Sequence, residues 1–153
     1  GVDSRNVHAF IIGEHGDSEL AVWSSANISG VDLDDYCRLS GMPDPARELQ
    51  QIYEHVRDAA YAIIQSKGAT YYGIGMAVRR IAEAIVRDER SVLPVSSLIT
   101  GQYGVDNVCL GMPSIVGRGG VQHVLDIPLS PAELTKLQDS AQKMRALLDE
   151  IER

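Results

Sequence analysis

A histidine stands inside a short polar run bracketed by glycines, Gly13-Glu14-His15-Gly16-Asp17, and the chemistry such a placement offers is proton transfer. Imidazole titrates near neutral pH, so it can take a proton from an alcohol oxygen or return one to it. An adjoining carboxylate can orient one ring nitrogen and stabilise the charged form. Glu14 and Asp17 are the carboxylates nearest to it in sequence. Residue type and spacing alone leave a second reading open, an ordinary turn histidine solvated or bonded locally. A further histidine, His8, lies on what reads as an extended path toward the turn. At about 3.3 Å per residue it falls roughly 20 Å from His15, too far for one small substrate to touch both.

The elements that must hold this turn are legible in the pattern. Val7 to Ile12 and Leu20 to Ile28 are rich in β-branched and aromatic residues, which predicts two strands with the polar turn Glu14 to Glu19 between them. Asp44-Pro45 opens a helix, with a side-chain acceptor at the N-cap and a residue whose missing N–H costs nothing in the first turn. Leu49, Ile52, Tyr53, Val56, Ala60, Ile63 and Ile64 then keep a helical period, and Gly68 suits the exit. A second helix follows with Ile74, Val78, Ile81, Ala82 and Ile85 on one face, ending at the charged segment Arg87 to Arg90. Thr70 falls at its start, where an N-cap role suffices to explain it, and Ile74 reads equally as a core residue.

Val92 to Tyr103, Val108 to Val116 and Val121 to Ile127 are predicted strands, for which an antiparallel meander is the simplest topology. Ser130-Pro131-Ala132-Glu133 forms a capping box before a last helix striped with Leu134, Leu137, Ala141, Met144, Leu148 and Ile151. That stripe fits a core or a seam between subunits. Strands, a helix pair, strands and a terminal helix define an α+β domain of antiparallel sheets and long helices, not an alternating dinucleotide-binding one.

Composition narrows the function. A chain of 153 residues with 44% apolar content suffices for one domain burying about 70% of its unfolded surface. A net charge of −7, with no basic cluster beyond Arg79-Arg80, excludes a nucleic-acid surface. No run approaches the roughly 20 apolar residues that span a bilayer, so no membrane partner is expected. Cys37 and Cys109 read as free thiols, which with the lack of a signal core predicts a cytoplasmic location. The start at Gly1-Val2-Asp3, without Met, reads as an interior cut.

Several short patterns fail on inspection. Gly73-Ile74-Gly75 continues to Val78 where a dinucleotide fingerprint needs glycine, and Gly117-Arg118-Gly119-Gly120 reads as a hairpin turn. Asn27-Ile28-Ser29 fits a glycosylation sequon, but without a secretory signal it has no use. Asp32, Asp34 and Asp35 run into Tyr36 and Cys37 rather than a calcium loop, and no metal site is expected.

Two longer segments carry a resemblance. Phe10-Ile11-Ile12-Gly13-Glu14-His15-Gly16-Asp17-Ser18-Glu19 with Val22-Trp23-Ser24 resembles the catalytic segment of bacterial L-lactate dehydrogenases, and Lys67-Gly68-Ala69-Thr70-Tyr71-Tyr72-Gly73-Ile74-Gly75 resembles their substrate-wall segment. The likeness runs through essentially all residues 1–153, which are thereby identified as the C-terminal substrate domain of the lactate/malate dehydrogenase fold, without the N-terminal dinucleotide-binding domain. It implies an NAD-dependent oxidoreductase of glycolysis interconverting L-lactate and pyruvate, with His15 as proton donor and acceptor. Thr70 would line the substrate pocket and Ile74 would pack on the nicotinamide ring.

His8 matches a histidine of allosterically activated members, which hold fructose 1,6-bisphosphate between the subunits of a homotetramer. The orienting Asp, the carboxylate-binding Arg and the substrate-closing loop would precede Gly1, so the isolated chain is expected to fold at least partly but turn over negligibly. Malate or another 2-hydroxy acid is the rival substrate, and Glu14 leans toward lactate because malate-type relatives commonly carry Gly there. A non-catalytic oligomerisation module is the rival of another class.

Overall fold

The computed structural model describes residues 2–151. It contains two three-stranded antiparallel sheets and four helices, in the α+β order that the pattern predicts. The first sheet comprises β1 (Val7–Ile12), β2 (Leu20–Ile28) and the two-residue β3 (Val31–Asp32), in that order. Then follow α1 (Leu33–Leu39), α2 (Pro45–Lys67) and α3 (Tyr72–Val86). The second sheet is a meander of β4 (Ser91–Thr100), β5 (Asp106–Gly117) and β6 (Gly120–Val124), and α4 (Pro131–Ile151) closes the chain.

Among the described residues one backbone bridge joins the two sheets. Gly13, directly after β1, donates its N–H to the Gly111 carbonyl at 3.0 Å, and Gly111 returns a bond to the Gly13 carbonyl at 2.7 Å. This bridge welds the end of β1 to the middle of β5. Both positions demand glycine for separate reasons. Gly13 has φ of +97°, the left-handed region that a side chain strains. A Cβ on Gly111 would stand 3.2 Å from the Gly13 carbonyl oxygen, tighter than ordinary contact.

Around the bridge lies the core. Ile12, Leu20 and Val22 from the first sheet pack with Ile99, Val108, Leu110, Met112 and Val124 from the second and with Leu137 and Ala141 from α4. Along β5 the fully buried side chains of Val108, Leu110 and Met112 alternate, the period-two signature of a strand with one face on the core. The stripe on α4 is therefore core in its first half, while Ile151 at its end is exposed.

Glu133 joins α4 to the first sheet. It closes the predicted capping box, accepting the Ser130 N–H at 2.8 Å while its own N–H bonds the Ser130 hydroxyl at 3.3 Å. The same carboxylate accepts the Ser24 N–H at 3.0 Å and the Ser24 hydroxyl, so a helix cap doubles as a tie to β2. Burial pushes this carboxyl up, but the bonds from Ser24 and Ser130 together outweigh burial and hold it below its usual value.

Some boundaries differ from the pattern. The strand expected to reach Tyr103 stops at Thr100, because Gly101 turns left-handed and Gln102–Gly104 form a 3₁₀ turn. Tyr103 serves that turn instead, donating its hydroxyl to the Ile127 carbonyl at 2.9 Å and accepting from the Gln138 amide at 2.9 Å. The next strands run from Asp106 to Gly117 and from Gly120 to Val124, the latter ending short of Ile127. The triplet Asp32, Asp34 and Asp35 opens α1, a helix the pattern did not reveal, where carboxylates favour the positive end of the helix dipole.

The helix α2 begins and ends as predicted, with Asp44 accepting the Arg47 N–H and Gly68 left-handed at its exit. Its apolar stripe is not core, however, since no residue of α2 is buried. The α3 face read from Ile74 and Val78 is also uncovered, at 57% and 58% exposure, and α3 enters the core only through its second half at Ala84. Both cysteines are free, with Cys37 buried and Cys109 exposed. Among the described residues no helix is long and apolar enough to cross a membrane, and no group of side chains could hold a metal ion.

Two measurements on the full-length protein containing this chain test this architecture. Gly111→Ala should lower unfolding stability by about 1 to 3 kcal/mol, because backbone on the far side of the bridge has to give; an unchanged urea midpoint refutes the constraint. The stability due to Glu133 is fully present above the unfolded carboxyl value near 4.5 and is lost as pH falls through the lower folded value. Glu133→Gln should therefore flatten the fall in stability between about pH 6 and pH 3, and an acid limb identical to wild type contradicts that role.

Candidate active site

The polar run is the connection between β1 and β2, and its geometry follows from what holds each end. Leu20 pairs with Ile12 and Ala21 with Ile11, so the two strands fix the base of the turn at residues 13 and 19. Between them His15 is exposed, while Glu14, Gly16, Ser18 and Glu19 are half-buried. The imidazole thus points away from a framework that is itself immobilised, the arrangement proton transfer requires.

Four contacts immobilise the turn. The Glu14 N–H donates to the Ser140 hydroxyl on α4 at 2.9 Å, a bond between residues 126 apart in the chain. The Glu14 carboxylate folds back to accept the Ser18 N–H at 3.2 Å and the Ser18 hydroxyl. From α2, Tyr61 donates to the Asp17 carboxylate at 2.9 Å and Tyr53 to the Glu19 carbonyl at 2.6 Å. These two tyrosines lie about two turns apart on one helix face, so α2 grips the turn through polar tips rather than through its apolar stripe.

The two carboxylates nearest to His15 in sequence are thus otherwise engaged. Glu14 closes the turn on Ser18, and Asp17 holds Tyr61. Among the described residues the His15 side chain has neither a hydrogen-bond partner nor an ion pair. Burial raises the Glu19 carboxyl above its usual value, while the positive forms of His15 and Arg57 pull the other way. Burial also raises the Tyr53 phenol, with the Glu19 charge second.

The remaining candidates lie elsewhere. Thr70 is exposed in the link between α2 and α3, two positions before the first residue of α3. It is therefore not the N-cap, a position that Tyr71 holds without a side-chain bond. Lys67 sits over the rings of Tyr71 and Tyr72, at 5.2 Å and 4.8 Å, and tethers this link. Ile74 is in the first turn of α3 with its side chain uncovered, so the core reading fails within this chain. His8 is exposed on β1 opposite Asn27, just before a bulge in the pairing. Two surface hollows, one along the first turns of α2 and one between β2, α1 and Glu133, include none of His15, Thr70, Ile74 or His8.

Ser140, Tyr53 and Tyr61 escaped the sequence reading. Ser140 follows Leu137 by three on the buried stripe, and a small hydroxyl in such a stripe has to find an internal partner. Tyr53 counted as an apolar position, but its hydroxyl decides where it reaches.

An α+β platform that holds an exposed histidine on a turn tied to both α2 and α4 defines the class of fold and candidate site to which the chain conforms. The sequence profile of the lactate/malate dehydrogenase alpha/beta C-terminal domain matches residues 1–153, and the chain belongs to that family. It is 51% identical over 151 residues to an L-lactate dehydrogenase of Thermoanaerobacter sp., covering 99% of this chain and 49% of the relative. With an L-lactate dehydrogenase of Streptococcus pneumoniae the identity is 53% over 149 residues, 97% of this chain and 45% of the relative.

The fold superposes on a lactate dehydrogenase from a Medee basin deep-sea metagenome library with a TM-score of 0.93 at 44% identity, covering 99% of this chain and 48% of that one. The ligand-bound minor L-lactate dehydrogenase of Enterococcus mundtii gives a TM-score of 0.90 at 40% identity, over 98% of this chain and 48% of that one. The chain spans about half the length of the curated relatives it matches.

Removing the α2 grip should be measurable. Tyr53→Phe in the full-length protein should cost about 0.5 to 1.5 kcal/mol of unfolding stability by deleting the donor to Glu19. Denaturation at the wild-type midpoint shows that the bond contributes nothing.

Proposed function

We propose that this chain is the substrate-side half of an NAD-dependent L-lactate dehydrogenase, in which His15 is the proton donor and acceptor. The observation that carries the proposal is the turn itself, a histidine without internal partner held on a four-point framework. Relatives named L-lactate dehydrogenase at about half identity support the substrate class, a small 2-hydroxy acid and its 2-oxo product.

When bound, the nicotinamide supplies the acceptor of the C2 hydride of lactate and its donor in reverse. The task of His15 is then to take the hydroxyl proton of L-lactate and to return it to the carbonyl oxygen of pyruvate. In its charged form it also stabilises the negative charge that gathers on that oxygen, so one residue serves proton transfer and electrostatics together. Ile74 fits the cofactor on its own terms, since an uncovered apolar side chain at the start of α3 offers a dry face to a ring. Thr70, exposed in the same link, offers a hydroxyl to a polar substrate group.

The uncovered stripes on α2 and α3 support an assembly in which further protein covers them, in keeping with a homotetramer and a separate dinucleotide-binding domain that binds most of the NAD. A cytoplasmic place in glycolysis accords with the substrate. A fructose 1,6-bisphosphate site at His8 rests on that exposed imidazole alone. Lactate is preferred to malate on the resemblance, because malate-type relatives commonly carry Gly where this chain has Glu14. The rival oligomerisation module needs only the apolar stripes and gives no reason for the immobilised His15 turn.

In the full-length protein, His15→Asn should lower pyruvate reduction about a hundredfold to ten-thousandfold while leaving NADH affinity near wild type. Wild-type turnover in that variant ends the assignment. Reduction of oxaloacetate in preference to pyruvate moves the enzyme to malate chemistry.

A further inference from the structure

We propose that Ser140 is a positioning residue for His15, acting through a closed ring of hydrogen bonds that pins the turn to α4. The inference rests on the reading of His15 as the proton-transfer group and adds a residue to that site. Ser140 is completely buried on the inner face of α4, between the core residues Leu137 and Ala141. Its oxygen accepts the Glu14 N–H at 2.9 Å and stands 3.1 Å from the Ser18 oxygen. Ser18 commits its own proton to the Glu14 carboxylate, so Ser140 is the donor to Ser18.

The bonds run from the Glu14 N–H to Ser140, from Ser140 to Ser18, and from Ser18 back to the Glu14 carboxylate. A carboxylate at the end of such a chain polarises each hydroxyl in turn, which strengthens the bond to the Glu14 N–H. His15 is the next residue after that amide, so the ring fixes the backbone from which the imidazole hangs.

Two further features tie the ring to the fold. A Cβ on Gly13 would lie 3.0 Å from the Ser140 oxygen, so the close seating of this hydroxyl is part of why residue 13 has no side chain. Gly13 also carries the bridge to Gly111. Position 140 therefore meets the turn where both sheets and α4 converge. A hydroxyl fits there and a methyl leaves the Glu14 N–H without an acceptor.

The test uses the full-length protein with NADH and pyruvate, and His15 observed by NMR with ring-labelled histidine, its signal assigned by loss in His15→Asn. Ser140→Ala should lower kcat about tenfold to a hundredfold, keep the KM for pyruvate and the Kd for NADH within about twofold, and shift or split the His15 signal. Leu137→Val, chosen for a comparable fall in melting temperature, should leave kcat and the His15 signal as in wild type. A wild-type kcat and His15 signal in Ser140→Ala overturn the proposal, as does the same loss in Leu137→Val.

If Ser140→Ala does not fold, Ser18→Ala opens the ring from the turn without touching α4. It should alter the His15 signal likewise, and an unaltered signal overturns the proposal. Lack of pyruvate turnover in wild type counts against the functional reading instead, because the His15 signal reports on the ring whatever the substrate.

Discussion

The reciprocal backbone bonds between Gly13 and Gly111 are the constraint on which the rest of the structure depends. Without them β1 and β2 lose their backbone tie to the second sheet, and a two-stranded ribbon by itself is marginal in water. With them the first sheet is stitched to the longest strand of the second, and residues of both sheets enclose one core with α4. Glycine at 111 eases this approach, because a Cβ there would press on the Gly13 carbonyl oxygen. The His15 turn begins at one of these two residues, so the junction of the two sheets and the base of the candidate site coincide.

Rigidity at the base and exposure at the tip are two sides of one design. The two carboxylates nearest to His15 in sequence have other tasks, Glu14 with Ser18 and Asp17 with Tyr61, while the Glu19 backbone carbonyl holds Tyr53. The imidazole is left free for a partner from outside the chain. The same economy governs α2, which touches the turn with tyrosine hydroxyls and keeps its apolar stripe uncovered. Uncovered stripes on both α2 and α3 are what a domain looks like when its working surface is completed by other protein.

Buried polar groups carry much of the long-range order. Glu133 caps α4 and grips β2, and Ser140 links α4 to the turn. No buried side-chain polar atom among the described residues lacks a partner. In a domain whose helices α2 and α3 contribute little to the core, such ties add order where hydrophobic contact does not.

The sequence by itself determined what depends on near neighbours. The strand pair around the turn, the Asp44-Pro45 start and Gly68 end of α2, the capping box and the α+β order all follow from patterns within a few residues, because caps and periodicity are local physics. The histidine turn was equally legible, since its residues are contiguous. Only the tertiary structure decided which apolar faces are core, because a helical stripe looks the same whether covered or bare; α4 buries its first half while α2 buries nothing. It alone paired Glu14 with Ser18 and Asp17 with Tyr61, and placed Ser140 beneath the turn. Those bonds join residues up to 126 positions apart, and a hydrogen bond is set by where two atoms meet in space, which no local pattern encodes.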